Sequence, residues 1–319
     1  MTEEKVQKIK AVMLGHAVGD ALGVPVEFCS RAELAADPVT DMRGFGSYPV
    51  PAGAWSDDTS MSLAALDSLS EGKIDMGEIM DHFTNWACDG AYTPTDEMFD
   101  IGRTCLDAIH KHITAPTLAP TACGMDGEYA NGNGSLMRIH PFALMFWARP
   151  TLRPDLDNII DDASALTHTH ERSRLACRVF TRILLALLDD PRKEAVFPAL
   201  QAARERYRNS NELHHYVRLF DPSLALLPTD GIRSTGYVVD TLEAALWCLL
   251  TTDSYRDCVL RAVNLGDDTD TTAAVAGALA GALYGYESIP KTWLETLIRR
   301  EYIEEMCEKA GTAWDENTQ

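Results

Sequence analysis

Apolar residues recur at three- and four-residue spacing along most of the chain, which is the periodicity of α-helices. Strict alternation of apolar and polar residues between tight turns, which would indicate strands, is hard to find. The pattern therefore predicts an all-α protein. The predicted helices cover residues 5–23, 59–71, 75–88, 97–113, 158–166, 171–189, 194–208, 238–251, 255–263, 271–285 and 291–309.

Two long segments interrupt this pattern. Residues 29–56 and 114–135 are rich in Gly, Pro and Ala and are predicted to be loops. Loops of this length inside a domain often carry function. Because no linker-like change in composition divides the chain, we expect a single domain over residues 1–319, with its motifs between about residues 10 and 286.

Glycine occurs at every fourth position in two of the predicted helices. The two sets are Gly15, Gly19 and Gly23, and Gly277, Gly281 and Gly285. Residues four apart share one face of a helix, so each set forms a glycine stripe that lets another backbone approach closely. We expect two tightly packed core helices, and no apolar run is expected to be long enough to span a membrane.

Composition and charge exclude several classes of protein and partner. The chain has 319 residues, of which 46% are apolar, so it is long enough and apolar enough to bury a sizeable core. It carries 48 acidic and 28 basic residues, a net charge of −20, which disfavours nucleic acid as a partner. The eight cysteines form no CxxC pair and are expected to be reduced thiols. The charged N-terminus does not resemble a signal peptide, so we expect a cytoplasmic protein without a membrane partner.

Two short acidic clusters stand out, each at the predicted start of a helix. They are Ser56-Asp57-Asp58-Thr59 and Gly266-Asp267-Asp268-Thr269-Asp270-Thr271. Such residues cap helices, but this many adjacent carboxylates exceeds what capping can use. If the clusters meet, the carboxylates repel each other until protons or cations neutralise them. The all-oxygen donor set favours Mg²⁺ or Mn²⁺ over zinc, so we expect a metal site rather than capping alone.

Two further segments suggest contacts with an anionic ligand. In Asn131-Gly132-Asn133-Gly134-Ser135 the glycines allow backbone N–H groups to converge on an anion, although a plain surface turn has the same composition. The segment 166–171 contains two histidines at a spacing that can ligate metal. Beside an oxygen-rich site, a hydrogen bond to a ligand hydroxyl or phosphate suits them better.

Together, and in this order, the motifs resemble those of the ADP-ribosylglycohydrolase family, which includes dinitrogenase-reductase-activating glycohydrolase and the animal ADP-ribosylhydrolases. The matching segments are GHAVGDALG at 15–23 with Glu27 beyond, SDDT at 56–59, NGNGSLMR at 131–138, LTH at 166–168, GYVVDTLEAALW at 236–247 and GDDTDT at 266–271. The resemblance implies a compact orthogonal multi-helix domain with two Mg²⁺ or Mn²⁺ ions in a central cleft. It also implies an N-glycosyl hydrolase that releases ADP-ribose from an acceptor.

The resemblance also implies a role for individual residues by their position. The metal ligands would be Ser56, Asp57, Asp58, Asp268, Asp270 and Thr271. The catalytic carboxylates would be Asp100, Glu27 and Asp58. The residues lining the diphosphate and ribose would be Gly132, Asn133, Gly134, Ser135 and His168, with Tyr237 on the acceptor side. Two positions depart from the family pattern. Ser56 stands where several members have Thr, and Asp267 stands where some members have Gly.

The implied partner is an ADP-ribosylated protein or a small-molecule ADP-ribosyl conjugate. FDIG at 99–102 and GYVVD at 236–240 resemble the bacterial branch that acts on arginine, so ADP-ribosyl-arginine is the expected substrate. Another ADP-ribosyl linkage, or a free N-riboside or nucleotide, is the alternative substrate. A member without catalytic activity is the remaining alternative, and the two intact acidic clusters argue against it.

Overall fold

The computed structural model describes residues 3–315, which contain fourteen α-helices, several short 3₁₀ turns and two isolated β-bridges but no strand. This confirms the predicted all-α class. In chain order the helices are α1 Glu3–Gly23, α2 Arg31–Ala36, α3 Asp57–Leu69, α4 Met76–Asp89, α5 Arg103–Thr114, α6 His140–Ala148, α7 Leu156–Ala165, α8 Glu171–Asp189, α9 Val196–Arg206, α10 Val238–Thr251, α11 Tyr255–Val263, α12 Thr269–Tyr284, α13 Lys291–Thr296 and α14 Arg300–Ala313.

Helices α1 and α12 form the centre of the fold, and their glycine stripes face each other. A Cβ atom at Gly15 would lie 2.6 Å from the carbonyl oxygen of Gly277, and one at Gly19 would lie 2.1 Å from that of Ala273. These distances are far below van der Waals contact, so only glycine permits the two backbones to touch. Gly285 takes no part in this packing, since a Cβ there would meet no atom within 4 Å; it ends α12 with a positive φ of 81°.

The segment Glu3–Val26 meets the length and hydropathy criteria of a membrane-spanning helix, contrary to the sequence prediction that no apolar run would do so. Its apolar window is entirely buried inside the protein, where α1 packs against α12, α14 and α3. A core helix meets the same criteria, so the segment is weak evidence for a membrane span.

Two predicted helices have different bounds in the structure. The helix predicted over 97–113 begins only at Arg103, because the preceding loop turns through Asp100, whose φ is 52°. The helix predicted over 291–309 is interrupted between α13 and α14. There the backbone N–H of Ile298 donates to the carbonyl of Gly53 at 3.0 Å, and Arg299 is left-handed with φ of 52°. Long-range contacts therefore override local helical periodicity in both places.

Two helices have no counterpart in the sequence prediction. Helix α2 lies within the predicted loop 29–56, where Ser30 and Glu33 form a reciprocal capping box at its start. Helix α6 is apolar on nearly every side and is buried except at Trp147, so it has no polar face to produce a periodic pattern. All eight cysteines are free, as predicted.

Candidate active site

The two acidic clusters lie side by side at the N-terminal ends of α3 and α12. The hydroxyl of Thr271 donates to the Asp58 carboxylate at 3.2 Å, although the two residues are 213 positions apart in the chain. Helix α1 contacts both α3 and α12, and α12 also contacts α3. The glycine-mediated approach of α1 to α12 therefore brings the clusters together.

Asp20 of α1 holds the N-terminus of α3 in place. Its buried carboxylate accepts the backbone N–H groups of Ser56 and Thr59, both at 3.0 Å, and the hydroxyl of Thr59 at 2.6 Å. Burial raises the pKa of Asp20 to about 6, against the opposing effect of these hydrogen bonds. The residue belongs to the first glycine motif, but the sequence analysis gives it no role. The sequence feature that could have identified Asp20 is its position as an acidic residue on an otherwise apolar helix face.

The turn that follows α1 pairs with the turn that precedes α12. The N–H of Phe28 donates to the carbonyl of Asp267 at 2.7 Å, and the N–H of Asp267 donates to that of Cys29 at 2.8 Å. Phe28 and Asp267 are both left-handed, with φ of 66° and 61°. This pairing leaves the Asp267 side chain exposed, while Glu27 and Asp268 line the cleft. The substituted position 267 therefore lies outside the group of converging carboxylates.

Glu27, Asp100 and Asp270 come from three separate segments and contribute carboxylate oxygens that lie within 4.8 Å of one another. Burial, followed by the charge of Asp100, raises the pKa of Glu27 to about 9. Burial also raises the pKa of Asp100 and of Asp270. The three carboxyls cannot all be ionised at neutral pH without a compensating positive charge.

The chemistry of the converging side chains fits divalent cations. Buried carboxylate oxygens without a hydrogen-bond partner are found on Glu27, Asp58, Asp268 and Asp270. An unpartnered buried polar atom costs free energy unless a ligand satisfies it. Since the donors are carboxylates and hydroxyls, hard ions such as Mg²⁺ and Mn²⁺ match them.

A cavity of about 240 Å³ lies over these carboxylates. Four carboxylates line it, from Glu27, Asp57, Asp100 and Asp268, together with Thr271 and the cationic side chain of Arg103. Gly132, Asn133, Gly134 and His168 also line it. Asp58 and Asp270 are buried and are not part of the lining. The cavity thus joins an acidic floor to the glycine-rich segment that the sequence associates with an anion.

Residues 131–135 are held in place by the start of α10. The N–H of Asn133 donates to the carbonyl of Gly236, and the N–H of Val238 donates to that of Asn131, both at 3.0 Å. The side-chain amide of Asn133 also donates to the Asp268 carboxylate at 3.0 Å. Asn133 therefore links the glycine-rich wall directly to the second acidic cluster.

The two serines among the predicted site residues have different surroundings. Ser56 is buried beside Asp58, and its hydroxyl donates to that carboxylate at 3.2 Å. Ser135 is fully buried and does not line the cavity, and its hydroxyl oxygen lies 3.0 Å from that of Ser164 and 3.5 Å from the sulfur of Cys177. The geometry therefore does not support the predicted contact between Ser135 and substrate, which a reading of the motif alone could not exclude.

Tyr237 lines a neighbouring cavity of about 400 Å³ rather than the acidic one. The two cavities share Gly132 and Gly236 in their linings. Glu128 also lines the second cavity, and the guanidinium of Arg172 lies 5.8 Å from the Tyr237 ring. Tyr237 therefore lies in a cavity that adjoins the acidic one.

Tyr48, in the predicted loop 29–56, is a site residue that no sequence pattern distinguishes. Its hydroxyl lies close to the carboxylates of Asp100 and Glu27, and burial, followed by their negative charges, raises the pKa of the tyrosine. Its ring packs 5.1 Å from that of Phe99, and the neighbouring Ser47 hydroxyl donates to the carbonyl of Glu27 at 2.5 Å. The loop thereby places a neutral donor between two repelling carboxylates.

Comparison with known proteins agrees with this geometry. The family model described as ADP-ribosylglycohydrolase matches residues 1–319. The chain is 34% identical to the ADP-ribosylarginine hydrolase Tri1 of Serratia proteamaculans, with 96% of this chain and 79% of that protein aligned. It is 35% identical to the ADP-ribosyl-(dinitrogen reductase) glycohydrolase of Rhodospirillum rubrum, covering 89% of this chain and 88% of that protein.

Among solved structures, a chain of an ADP-ribosylglycohydrolase-related protein complex has a similar fold. It superposes with a TM-score of 0.82 at 29% identity and covers 98% of this chain and 100% of its own. The whole-chain family match, the shared fold and the named hydrolases agree. The protein therefore belongs to the ADP-ribosylglycohydrolase family and is a glycosylhydrolase.

Proposed function

We propose that this enzyme hydrolyses the bond between C1″ of ADP-ribose and a guanidinium nitrogen of an arginine side chain on a protein, with two divalent cations as cofactors. The observation that carries the proposal is the cavity in which buried carboxylates with unpartnered oxygens face the Asn-Gly-rich segment. Relatives named as an ADP-ribosylarginine hydrolase and as a dinitrogen reductase glycohydrolase support the arginine linkage and the protein substrate.

The proposed ligands of the two Mg²⁺ or Mn²⁺ ions are Ser56, Asp57, Asp58, Asp268, Asp270 and Thr271. Contact between the two clusters and the unpartnered oxygens of Asp58, Asp268 and Asp270 support this set. Bound ions supply charge that holds ribose hydroxyls and lowers the pKa of a water.

The chain's own carboxylates handle charge and protons during cleavage. As the C1″–N bond breaks, its electron pair leaves with the guanidine, and C1″ gains oxocarbenium character that nearby carboxylates stabilise. The water oxygen forms the new bond to C1″, and its proton passes to Asp100 or Glu27 acting as a base. The arginine guanidinium is cationic before cleavage, so it departs as a neutral guanidine and then takes up a proton.

The charge of the protein supports a cationic acceptor. In the cavity beside the acidic one, Glu128 and Tyr237 already contact the guanidinium of Arg172, at 2.9 Å from the carboxylate and 5.8 Å from the ring, so this pair does not by itself favour a second guanidinium. The support comes from the net charge of −20, which attracts a cationic substrate over a long range.

A panel of ADP-ribosyl conjugates tests this proposal. With Mg²⁺ present, we expect release of ADP-ribose from the arginine conjugate and little from serine, O-acetyl or nucleobase conjugates. Asp268→Asn should retain the wild-type circular dichroism spectrum and lose both turnover and cation binding. Faster release from another conjugate would replace the arginine assignment, and no release from any conjugate would overturn the proposed activity. Full activity of Asp268→Asn would overturn the ligand set.

A further inference from the structure

Behind the cleft, a line of three buried side chains ends at His168. Nη2 of Arg138 donates to the hydroxyl oxygen of Thr167 at 2.7 Å, and this oxygen lies 2.7 Å from Nδ1 of His168. None of the three is more than 1% exposed. Nη1 of Arg138 donates to the carbonyl of Ala163 at 3.2 Å, and the guanidinium lies 4.7 Å from the ring of Phe83. These contacts hold the Arg138 side chain in place.

The order of donors in this line determines where the imidazole proton resides. Arginine has only donors, so the Thr167 oxygen must accept, and its single proton points to another neighbour. Nδ1 of His168 lies within hydrogen-bond distance of this oxygen, and the nearby Cys105 thiol is the competing acceptor. An imidazole nitrogen at 2.7 Å is a far better acceptor than a thiol sulfur. Nδ1 therefore carries no proton, and the neutral ring is protonated on Nε2.

The ring remains neutral, and its Nε2 faces the glycine-rich wall. Burial and then the charge of Arg138 lower the pKa of His168 to about 3. A Cβ built on Gly132 would lie 3.6 Å from Nε2, and one built on Gly134 would lie 3.0 Å from Cε1. All three residues line the acidic cavity. The absence of side chains at 132 and 134 leaves the Nε2–H group open to a ligand.

The backbone of His168 is fixed as well. Its N–H donates to the carbonyl of Ser164 at 2.7 Å, and its carbonyl accepts the Ser164 hydroxyl at 2.9 Å. An isolated β-bridge also joins His168 to Met125. With both backbone and ring held, the donor direction of Nε2–H is set before any ligand arrives.

We propose that Arg138 and Thr167 are positioning residues that hold His168 as the Nε2–H tautomer, so that it donates a hydrogen bond to an oxygen of the bound ADP-ribosyl group. The identity of that oxygen rests on the proposed function, whereas the tautomer does not. The opposite tautomer would present a lone pair to an anionic ligand and repel it. These three side chains, Arg138, Thr167 and His168, are called the relay. The relay therefore gives the acidic cleft an uncharged hydrogen-bond donor for an anionic ligand.

Nuclear magnetic resonance on the full chain with Mg²⁺ and ¹⁵N-labelled histidine tests the tautomer directly. The His168 signals are assigned by their loss in His168→Gln. We expect a neutral ring protonated on Nε2 between about pH 5 and 8. Cys105→Ala should leave this tautomer unchanged. A proton on Nδ1 in the wild type, or a change of tautomer in Cys105→Ala, would overturn the proposal.

A matched pair of variants tests what the relay does for binding. Thr167→Val removes the hydroxyl at nearly constant shape, and Thr167→Ser retains it. By calorimetry, ADP-ribose should bind about tenfold more weakly to Thr167→Val, which is about 1.4 kcal/mol, and within about twofold of wild type to Thr167→Ser. Wild-type affinity in a folded Thr167→Val would contradict the proposal. If Thr167→Val does not fold, the tautomer of His168 measured in the wild-type protein decides whether the proposal stands.

Neither the tautomer measurement nor the ADP-ribose binding measurement requires the protein to hydrolyse a substrate. Failure to hydrolyse ADP-ribosyl-arginine would therefore count against the proposed function and not against the relay. In an active enzyme, Thr167→Val should raise KM and leave kcat nearly unchanged, because the hydrogen bond is made to a part of the substrate that does not react.

Discussion

Asp270→Asn is expected to stabilise the metal-free protein. The carboxylate oxygens of Glu27, Asp100 and Asp270 lie within 4.8 Å of one another. At that separation two negative charges repel by about 3.5 kcal/mol for an effective dielectric constant of about 20. The protein avoids part of this repulsion by keeping a carboxyl group protonated, and removing one charge relieves it.

Burial, followed by the charges of Glu27 and Asp268, raises the pKa of Asp270 well above its ordinary value, so this carboxyl costs free energy in the folded protein that Asn would not. Glu27, whose pKa is also raised by burial, gives the scale of such a cost. Its pKa is about 9 in the folded protein, against an ordinary value of 4.5. At pH 7 the unfolded chain has lost this proton and the folded chain retains it, which costs about 3 kcal/mol at 1.4 kcal/mol per pH unit. Because the folded state binds more protons, stability should fall as pH rises from about 4.5 to about 9.

Asp270→Asn should recover about 1–3 kcal/mol in EDTA, or roughly 1.5–4.5 °C in Tm. Mg²⁺ should raise the Tm of the wild type by neutralising the carboxylates, and should raise that of the variant much less. Asp157→Asn is the matched control, because its carboxylate is paired with Arg182 and Arg206 and its pKa is lowered. That control should lose stability to the same extent with and without Mg²⁺.

Differential scanning calorimetry in EDTA and in Mg²⁺, at several pH values from about 5 to 9, measures all of these quantities. The reasoning is refuted if Asp270→Asn melts below the wild type in EDTA. It is also refuted if wild-type stability in EDTA does not fall across that pH range.

Two further variants test the packing and the positioning of the carboxylates. Gly19→Ala would place a Cβ 2.1 Å from the Ala273 carbonyl oxygen, so urea unfolding should show a loss of about 3 kcal/mol or more. Gly231→Ala, with its nearest neighbouring atom at 3.7 Å, should change stability by less than about 0.5 kcal/mol, and equal effects of the two would contradict the packing argument. Tyr48→Phe removes the hydroxyl between two cleft carboxylates and should lower kcat about tenfold with KM within about twofold. Tyr92→Phe, which removes a 2.9 Å tyrosine–carboxylate bond outside the cleft, should retain activity, and a similar loss there would point to general destabilisation.

The sequence predicts a helix well where the helix buries one continuous face. Periodicity locates α7, α8 and α11 to within two residues, because their apolar stripes are a local property. It fails where a distant group competes for the backbone, as the Gly53 carbonyl does for the N–H of Ile298. It also fails for α6, which has no polar face to contrast with an apolar one.

The residues of the cleft also differ in whether local sequence or a distant contact determines their place. Residue type predicts the two acidic clusters and the glycine-rich segment, because charge and donor chemistry are properties of single residues. The resemblance to the family, rather than residue type, indicates Glu27, Asp100 and His168. Tyr48 is different, because a tyrosine within a Gly- and Pro-rich loop has no periodic or motif context. Only the contact of that loop with Glu27 and Asp100 gives the hydroxyl its place.

The amino-acid sequence by itself therefore determined the helical class, the two glycine stripes and the acidic, oxygen-rich composition of the cleft. Only the tertiary structure decided that Thr271 meets Asp58 across 213 positions, that Asp267 points outward, and that Thr167 connects Arg138 to His168. The physical reason is that helical periodicity and side-chain charge depend on neighbours in the chain. Convergence of distant segments depends on the close packing of α1 against α12; each glycine stripe permits such packing, but neither stripe specifies that the other is its partner.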